Sequence, residues 1–365
     1  MKENVTNTFT EEEWKEYRDA LLFWFDRNRR ILPWREDPTP YHVWVSEIML
    51  QQTRVEAVKP YYDRFLAELP DVQALADAPE QQLLKLWEGL GYYNRVRNMQ
   101  LAAQQIVTDY YGEIPQKYEV LLELKGIGSY TAGAISSIAY GNAVPAVDGN
   151  VLRVLARNLE YDGDILKDST KKYFFSLLKE HMPKDRAGDF NQALMELGAT
   201  VCIPNGKPLC EDCPIYGTCL ARKHDTTSKY PVKATKKQRK IVDKTIFRIF
   251  NENGELLLHK RADEGLLAGL WELPNIDEKY IVGEPGNEMI RRIFAQDVIS
   301  QQTGTDKHIF SHIEWHMTCI TLRGLTWDSK VYERLQQCFG SNLIFASLNE
   351  IEKKYPLPAA FSMWI

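Results

Sequence analysis

The sequence predicts a multi-domain chain: an all-helical module that contains a short cysteine-rich loop, followed by an α+β module. Three observations support this prediction. Apolar residues recur at helical spacing through most of the chain before Ala221, whereas shorter alternating runs typical of strands follow Lys244. Four of the six cysteines cluster just before the change of pattern.

Length and composition agree with a globular chain of several domains. The 365 residues suffice for two or three domains, and an apolar fraction of 44% suffices for buried cores. No uninterrupted apolar stretch is long enough to span a bilayer, so the sequence predicts no membrane partner. The net charge of −5 argues mildly against binding to nucleic acid, although locally clustered basic residues can outweigh it.

Apolar residues recur at helical spacing in residues 11–29, 41–53, 79–111 and 171–181, which predicts helical structure there. Glu47 lies inside the second of these segments, with apolar neighbours one turn away on either side. Burial would raise the pKa of its carboxyl group, which is the condition for a general acid near neutral pH. A structural ion pair with Arg35 or Arg54 is the alternative, and the sequence leaves both interpretations open.

Residues 124–150 combine a tight turn with a carboxylate farther along the chain. Gly126 and Gly128 let the backbone turn sharply, and the helix predicted after them would offer its N-terminal amides to a phosphate. This pattern points to DNA as a ligand. Asp148 stands where a helix N-cap is expected, so ordinary capping competes with a chemical role for this residue.

The cysteine-rich loop covers residues 202–219 and contains Cys202, Cys210, Cys213 and Cys219. The polar, acidic N-terminal segment does not resemble a signal peptide, so we expect an intracellular chain with a metal centre rather than disulfides. Zinc sites usually contain two close cysteine pairs and this loop has one, while four thiolates equally suit an iron–sulfur cluster. The spacing leaves both metal centres open.

A polar, basic stretch without hydrophobic periodicity separates the two modules. After it, residues 245–251 and 255–260 are predicted to be strands, joined by a hairpin turn at Asn253-Gly254. The predicted segments are a helical module over residues 1–225, a linker over residues 226–243, and an α+β module over residues 244–365.

Several sequence blocks together resemble the MutY-type adenine DNA glycosylases of the helix-hairpin-helix (endonuclease III) superfamily. The blocks are LPWR (32–35), WVSEIMLQQTRV (44–55), WEGLGYYNRVRN (87–98), LKGIGSYTAGAI (124–135), AVDGNVLRV (146–154), FNQALMELGA (190–199) and the cysteine loop. In the last, the spacing between the first two cysteines is one residue longer than is usual in the family. The block GLLAGLWELP (265–274) resembles the family's C-terminal Nudix-like domain. The sequence after Pro274 lacks the acidic helical cluster that a Nudix hydrolase needs for magnesium, which favours recognition over catalysis there.

The resemblance implies a base-excision repair enzyme that flips out and removes adenine mispaired with 8-oxoguanine or guanine in double-stranded DNA. Glu47 would protonate the adenine ring, and Asp148 would stabilise positive charge on the sugar, either electrostatically or as a transient nucleophile. Tyr130 stands where bifunctional relatives carry a Schiff-base lysine, so the chain should leave an abasic site without cutting the strand. We expect Tyr130 to orient Asp148 or the sugar.

The resemblance also assigns a cofactor and three recognition sites. The four cysteines would hold a 4Fe-4S cluster. Trp34, Arg35 and Glu196 would line the adenine pocket, unless Arg35 and Glu196 form only a structural ion pair. Phe310, Ser311 and His312 would contact 8-oxoguanine. The DNA-binding residues would be Gln51, Gln52, Thr53, Arg54, Leu90, Gly91, Tyr92, Lys125, Gly126, Gly128 and Ser129, with Gln52 and Tyr92 as wedges that fill the gap left by the flipped base.

Two other classes of function remain as alternatives. A non-catalytic lesion-binding module would not need Glu47, Tyr130 and Asp148 together, and a nucleotide pyrophosphatase would need the acidic cluster that the second module lacks. We further expect a monomer that works in the cytoplasm in association with the nucleoid.

Overall fold

The computed structural model describes residues 9–234, 238–294, 298–323, 325 and 327–365. These residues form two compact units. The first unit comprises the described residues of Met1–Asp77 and Arg97–Thr235, and the second comprises those of Ala78–Val96 and Lys236–Ile365. The second unit therefore draws on two separate parts of the sequence.

Helices dominate the chain before the predicted linker, as the periodicity indicates. In chain order they are α1 (Glu11–Asn28), α2 (Pro33–Glu36), α3 (Pro40–Leu50), α4 (Val55–Glu68), α5 (Val72–Asp77), α6 (Glu80–Leu86), α7 (Asn94–Tyr110), α8 (Tyr118–Leu121), α9 (Ser129–Ala134), α10 (Gly149–Asn158), α11 (Asp168–His181), α12 (Ala187–Thr200) and α13 (Leu220–Lys223). A π-helical turn, Ile135–Ala139, continues α9. In the part of the chain that the structure describes, no helix is both long enough and apolar enough to cross a membrane.

Helix α1 begins with a capping box and packs into the core of the first unit. The Thr10 side chain accepts a hydrogen bond from the backbone of Glu13, whose carboxylate in turn accepts from the Thr10 backbone. Trp14, Tyr17 and Phe25 follow at helical spacing and are fully or almost fully buried. They share one apolar core with α10, α11 and α12.

Helix α3 ends three residues earlier than the sequence predicts. Its start agrees with the expectation, because Pro40 occupies the first turn and the Thr39 hydroxyl accepts from the His42 amide at 3.2 Å. Its end lies at Leu50, since Gln52 adopts a left-handed backbone with φ of 60° that a helix cannot continue through.

The segment of helical periodicity over residues 79–111 is helical for most of its length, but the structure divides it into two helices, α6 and α7. Between them, Gly89, Gly91 and Tyr92 have φ values of 97°, 69° and 48°. These left-handed conformations interrupt the helical hydrogen bonding. The intervening residues 87–93 form a loop that belongs to the second unit.

The tight turn predicted around Gly126 is present between α8 and α9. Gly126 has a φ of 76°, and a Cβ atom there would lie 2.6 Å from the Asn98 Cβ. Both the backbone conformation and the available space therefore require glycine. The turn leads directly into α9, so Ser129 occupies the first helical position.

The second unit contains two sheets. Its strands and remaining helices are β1 (Lys240–Ile249), β2 (Leu256–Lys260), β3 (Trp271–Glu272), β4 (Asn275–Ile276), α14 (Glu284–Phe294), β5 (Ile299–Ile309), β6 (Ile313–Arg323), α15 (Ser329–Phe339), β7 (Leu343–Ala346) and α16 (Leu348–Lys354). One sheet has the order β4-β1-β6-β5 and the other the order β3-β2-β7. Strand β1 runs parallel to β6, and β5 and β6 form an antiparallel hairpin.

The hairpin pairing predicted for the first two strands of this unit is wrong. The chain does turn at Gly254, where φ is 76°, but β1 and β2 share only the isolated bridge between Phe250 and Leu256. Strand β1 pairs along its length with β6 on one edge and over two residues with β4 on the other, while β2 pairs with β3 and β7. It also begins at Lys240, inside the segment predicted as linker.

Helix α6 packs against α16 within the second unit. The Gln81 amide donates to the Lys354 carbonyl oxygen at 2.9 Å, and the Leu357 amide donates to a Glu88 carboxylate oxygen at 2.6 Å. These hydrogen bonds join residues 78–96 to the C-terminal end of the described chain.

Candidate active site

A cleft of about 1010 Å³ in the first unit brings together side chains that are far apart in the sequence. Helix α3 contributes Glu47, α9 contributes Tyr130, and Asp148 reaches the cleft from the start of α10. The three residues to which the sequence assigns the chemistry therefore share one cleft.

Glu47 is buried, with only 6% of its surface exposed. The pKa of its carboxyl group is raised to about 7: burial raises it most and the charge of Asp148 adds to the rise, while the hydrogen bond from Tyr130 and the charge of Arg35 offset part of it. Among the described residues Glu47 forms no ion pair with Arg35 or Arg54, because Arg35 pairs with Glu196 instead. The surroundings of Glu47 are those of an acid that titrates near neutral pH.

The Tyr130 hydroxyl donates a short hydrogen bond to Glu47 Oε2 and lies 3.6 Å from the Met195 sulfur. The described structure thus adds Glu47 as a partner of Tyr130, beside the predicted role of Tyr130 in orienting Asp148 or the sugar. Burial raises the pKa of Tyr130 well above its ordinary value, and the charges of Glu47 and Asp148 raise it further. The phenol therefore remains protonated and acts as a donor.

Asp148 caps α10 and also lines the cleft, so the two interpretations of this residue are compatible. Its Oδ1 accepts from the backbone amides of Asn150 at 2.9 Å and Val151 at 2.8 Å, and its Oδ2 accepts from the Asn150 side chain at 2.7 Å. Burial raises the pKa of Asp148, whereas these hydrogen bonds lower it. The Asn150 side chain is itself held by Arg153 at 2.9 Å.

The predicted adenine-pocket residues line the same cleft, and the ion pair considered as their alternative is present. Glu196 is 1% exposed and accepts from Arg30 Nε at 2.6 Å and from Arg35 Nη2 at 2.9 Å. Arg35 Nε also donates to the Gln192 amide oxygen at 3.0 Å. Although burial opposes it, the hydrogen bond from Arg30 and the charge of Arg35 lower the pKa of Glu196.

Sequence reasoning did not single out Arg30, Gln192 or Met195, which also line the cleft. A usable signal existed for Gln192, because it lies four residues before Glu196 and therefore on the same face of α12. Met195 is adjacent to Glu196 in sequence, but only the three-dimensional fold brings its sulfur to Tyr130.

The predicted DNA-binding residues fall into three groups. Those after α3 line the cleft, namely Gln51, Gln52, Thr53 and Arg54. Those of the hairpin turn before α9 are exposed, namely Lys125, Gly126, Gly128 and Ser129. The third group lies in the loop of the second unit and consists of Leu90, Gly91 and Tyr92. Both wedge candidates, Gln52 and Tyr92, have positive φ values, a strained conformation that often marks functional positions.

The four loop cysteines line one cavity and are all free thiols. Arg157 Nη1 donates to Cys202 Sγ at 3.2 Å, and Asn158 hydrogen-bonds Cys219. Burial raises the pKa of Cys213 to about 12, which favours the protonated thiol, and a bound cation would favour the thiolate instead. Within the described residues, no three His, Cys, Asp or Glu side chains converge closely enough to hold a single metal ion.

The predicted 8-oxoguanine contacts form the turn between β5 and β6. The Phe310 amide donates to the Ile313 carbonyl oxygen at 2.9 Å, which closes the turn. The Phe310 ring packs edge-on against Trp315 with 4.7 Å between ring centroids, whereas Ser311 and His312 are exposed. Phe310 thus anchors the turn and leaves its two polar residues open to a ligand.

Comparisons with known proteins place both units in described families. Residues 45–180 match the HhH-GPD superfamily of base excision DNA repair proteins, and residues 245–365 match the NUDIX domain. The chain is 36% identical to the adenine DNA glycosylase of Arabidopsis thaliana, covering 85% of this chain and 57% of that protein. It is 34% identical to the human adenine DNA glycosylase, covering 82% of this chain and 65% of that protein. With the Schizosaccharomyces pombe adenine DNA glycosylase the identity is 34%, and the match covers 84% of this chain and 81% of that protein.

Solved structures agree on the fold of the helical region. A thermostable thymine-DNA glycosylase superposes with a TM-score of 0.53 at 28% identity, covering 58% of this chain and 98% of that one. A non-covalent endonuclease III–DNA complex superposes with a TM-score of 0.51 at 23% identity, covering 60% and 99%. The predicted fold class, a helix-hairpin-helix module followed by a Nudix-like α+β module, is confirmed.

Proposed function

Because the chain belongs to the adenine DNA glycosylase family, we propose that it removes adenine from double-stranded DNA during base excision repair. The main support is Glu47, a buried carboxyl group with a pKa of about 7 that accepts a hydrogen bond from Tyr130 and shares a cleft with Asp148. A pair of carboxyl groups with such different surroundings suits an acid and a charge stabiliser. A lesion-binding module without catalysis gives no reason for this pair.

In the proposed reaction, protonated Glu47 transfers its proton to a nitrogen of the five-membered ring of adenine. The bond between the sugar and adenine then breaks, and its electron pair leaves with the base. Asp148 stabilises the positive charge that develops on the sugar, electrostatically or through a transient covalent bond. A water molecule attacks the sugar and gives a proton back to Glu47, which restores the acid.

The product of this reaction is an abasic site in an uncut strand. Tyr130 has no amine with which to form an imine, and its hydroxyl is engaged with Glu47. Trp34, Arg35 and Glu196 would hold the flipped adenine, with Arg30 and Gln192 as neighbours that the fold adds. Gln52 and Tyr92 would fill the gap in the duplex, and the exposed turn at Lys125–Ser129 would contact phosphates.

We propose that the preferred substrate is adenine opposite 8-oxoguanine, with adenine opposite guanine as a second substrate. The exposed hydroxyl of Ser311 and the imidazole of His312 can donate or accept hydrogen bonds. This suits 8-oxoguanine, which differs from guanine by one carbonyl group and one ring N–H. Residues 1–225 would perform the excision, residues 226–243 would link the modules, and residues 244–365 would read the opposing base. One monomer would act per lesion, at the nucleoid in the cytoplasm.

The four cysteines fit a 4Fe-4S cluster, and the proposal includes this cofactor. Cys202, Cys210, Cys213 and Cys219 supply four thiols around one cavity, which is the ligand set of such a cluster. Such a cluster would supply electron-transfer capacity and hold the loop together. Arg157 would offset part of the negative charge at Cys202.

A base-release assay tests the proposal. Duplexes with adenine opposite 8-oxoguanine, guanine, cytosine or thymine are incubated with the protein, and strand cleavage is compared before and after alkali. We expect cleavage only after alkali, fastest opposite 8-oxoguanine. Cleavage without alkali would contradict the monofunctional assignment, and no adenine release from any duplex would contradict the function itself. About four irons per chain are expected in the same preparation, whereas stoichiometric zinc would exclude the cluster.

A further inference from the structure

Tyr17 presents a buried hydroxyl group that nothing in the described part of the chain satisfies. The residue lies on the core face of α1 and is 1% exposed. Its hydroxyl has no hydrogen-bond partner among the described residues. A buried donor without a partner loses its bonds to water and gains none in return, so such groups are rare in folded proteins.

The position of this hydroxyl links it to the cysteine loop. Tyr17 belongs to the apolar core against which Cys202 and Cys213 pack. The same core that buries the Tyr17 ring thus carries two of the four cysteines on its surface, and the unpartnered hydroxyl is a hydrogen-bond donor within it. Burial raises the pKa of Tyr17, and negative charge at Cys213, Cys219 and Cys202 adds to the rise.

Other polar groups already approach this cavity from α10. Arg157 donates to Cys202, and Asn158 hydrogen-bonds Cys219. Tyr17 comes from α1, and its hydroxyl is a further donor in the core against which two of the cysteines pack. Four thiolates with bridging sulfide would offer more acceptor positions than these two side chains occupy.

We propose that the Tyr17 hydroxyl donates a hydrogen bond to a sulfur atom of the iron–sulfur centre held by the four cysteines and thereby raises its reduction potential. The inference rests on the proposed function only in requiring that cofactor. A hydrogen bond to sulfur stabilises the more negatively charged, reduced form more than the oxidised form. Tyr17 is a positioning and tuning residue of the cofactor and takes no part in base excision.

The test compares Tyr17→Phe with wild type in the intact, cofactor-loaded protein. This substitution removes the hydroxyl and keeps the ring that fills the core. The reduction potential is measured by mediated titration, and the Fe–S stretching bands are recorded by resonance Raman spectroscopy in H2O and D2O. We expect the reduced-to-oxidised ratio at a fixed potential to fall about fivefold, which is the loss expected for one hydrogen bond. That change equals roughly 40 mV for a one-electron couple.

A matched control is Tyr41→Phe. Tyr41 is also buried in the first unit, but its hydroxyl donates to the Leu69 carbonyl oxygen at 2.8 Å. This variant should leave the reduction potential and the isotope shift of the Fe–S bands as in wild type. Adenine release by Tyr17→Phe should also match wild type, since the hydroxyl acts only on the cofactor.

If Tyr17→Phe does not fold, 3-fluorotyrosine at position 17 replaces it in the comparison. The fluorinated ring keeps the hydroxyl but makes it a stronger donor, so the reduction potential should rise. A loaded protein whose potential and isotope shift respond to neither change overturns the inference and leaves the proposed function standing. A preparation with zinc or no iron overturns both the cofactor assignment and the inference, while the base-release assay on the same sample judges the excision activity separately.

Discussion

Glu47 and Asp148 are two carboxyl groups in one cleft with different surroundings. Glu47 has the Tyr130 hydroxyl as its hydrogen-bond donor, whereas Asp148 receives two backbone amides and the Asn150 side chain. Burial raises the pKa of both carboxyl groups, but the three hydrogen bonds to Asp148 offset part of that rise and favour its charged form, whereas Glu47 has one such donor. The division of roles in the proposed reaction follows from this difference.

Substitution of either carboxyl group should abolish adenine release. Glu47→Gln removes the transferable proton, and Asp148→Asn removes the charge that stabilises the sugar, so we expect each single-turnover rate to fall by about 10²–10⁴ or more. Asparagine is also a good N-cap, so α10 should still begin normally in the second variant. Duplex affinity should change little, because the lost interactions belong to the transition state.

The controls for these variants are Glu56→Gln and Asp168→Asn, whose side chains are exposed and form an ion pair with a nearby lysine. Both should release adenine at the wild-type rate. A near-normal rate for Glu47→Gln or Asp148→Asn would remove that residue from the proposed reaction.

The pH dependence of the rate should report on Glu47. An acid must be protonated to act, so the single-turnover rate should fall as the pH rises through about 7, the pKa of this group. The hydrogen bond from Tyr130 lowers that pKa, so Tyr130→Phe should move the fall in rate to higher pH. Tyr41→Phe is the matched control and should leave the profile in place. A profile that does not move in Tyr130→Phe would show that this hydrogen bond does not tune the acid.

At this scale the sequence identifies the reacting groups but not their partners. Glu47 stands out because a carboxylate in an apolar helix is unusual, whereas Asp148 is an ordinary N-cap residue by position and gains its chemical role from the resemblance. The partner of Tyr130 could not be predicted, because its bond to Glu47 spans 83 residues and depends on how α3 and α9 cross. Arg30 is likewise brought to Glu196 only by the packing of α1 on α12.

At the scale of elements, the sequence correctly predicted the helices that local signals encode. It did not predict which distant strands pair. Helix α1 and the start of α3 follow from caps and periodicity, which act within a few residues. The break between α6 and α7 was not predicted, because Gly89 and Gly91 lie in a sequence that otherwise has helical periodicity. The pairing of β1 with β6 joins residues about 70 positions apart, as in Lys240 with Ile313, and no local turn signal encodes it.

The turn between β5 and β6 should control the choice of opposing base. Ser311→Ala combined with His312→Ala removes the exposed polar groups and keeps Phe310, which anchors the turn. We expect the ratio of single-turnover rates for adenine opposite 8-oxoguanine and opposite guanine to shrink, mainly because the former slows. Rates are compared at one fixed salt concentration, since duplex binding is salt-dependent.

Ser341→Ala is a suitable control, because Ser341 is an exposed polar residue in another loop of the same unit. It should leave the ratio unchanged. If the double variant also keeps the wild-type ratio, the turn is only structural and the discrimination lies elsewhere.

At the scale of the whole molecule, the second unit is discontinuous in sequence, and this changes how the modules can be separated. Truncation after Lys240 removes α16 and Leu357, the partners of Gln81 and Glu88. We therefore expect the remaining fragment to melt several degrees below the intact chain, measured by circular dichroism. Gln81→Ala in the full chain loses one exposed hydrogen bond and should lower the melting temperature far less. A fragment that melts at the same temperature as the intact chain would show that residues 78–96 fold independently of the residues after Lys240.

The hydrogen bond between Leu357 and Glu88 joins residues 269 positions apart, and this separation has a consequence for biosynthesis. At about 5–20 residues per second, the ribosome needs on the order of tens of seconds to pass from one residue to the other. During that interval the nascent segment Ala78–Val96 has left the exit tunnel without the residues it packs against. Helix α6 is thus a surface that chaperones can bind until α16 and Leu357 have been synthesised.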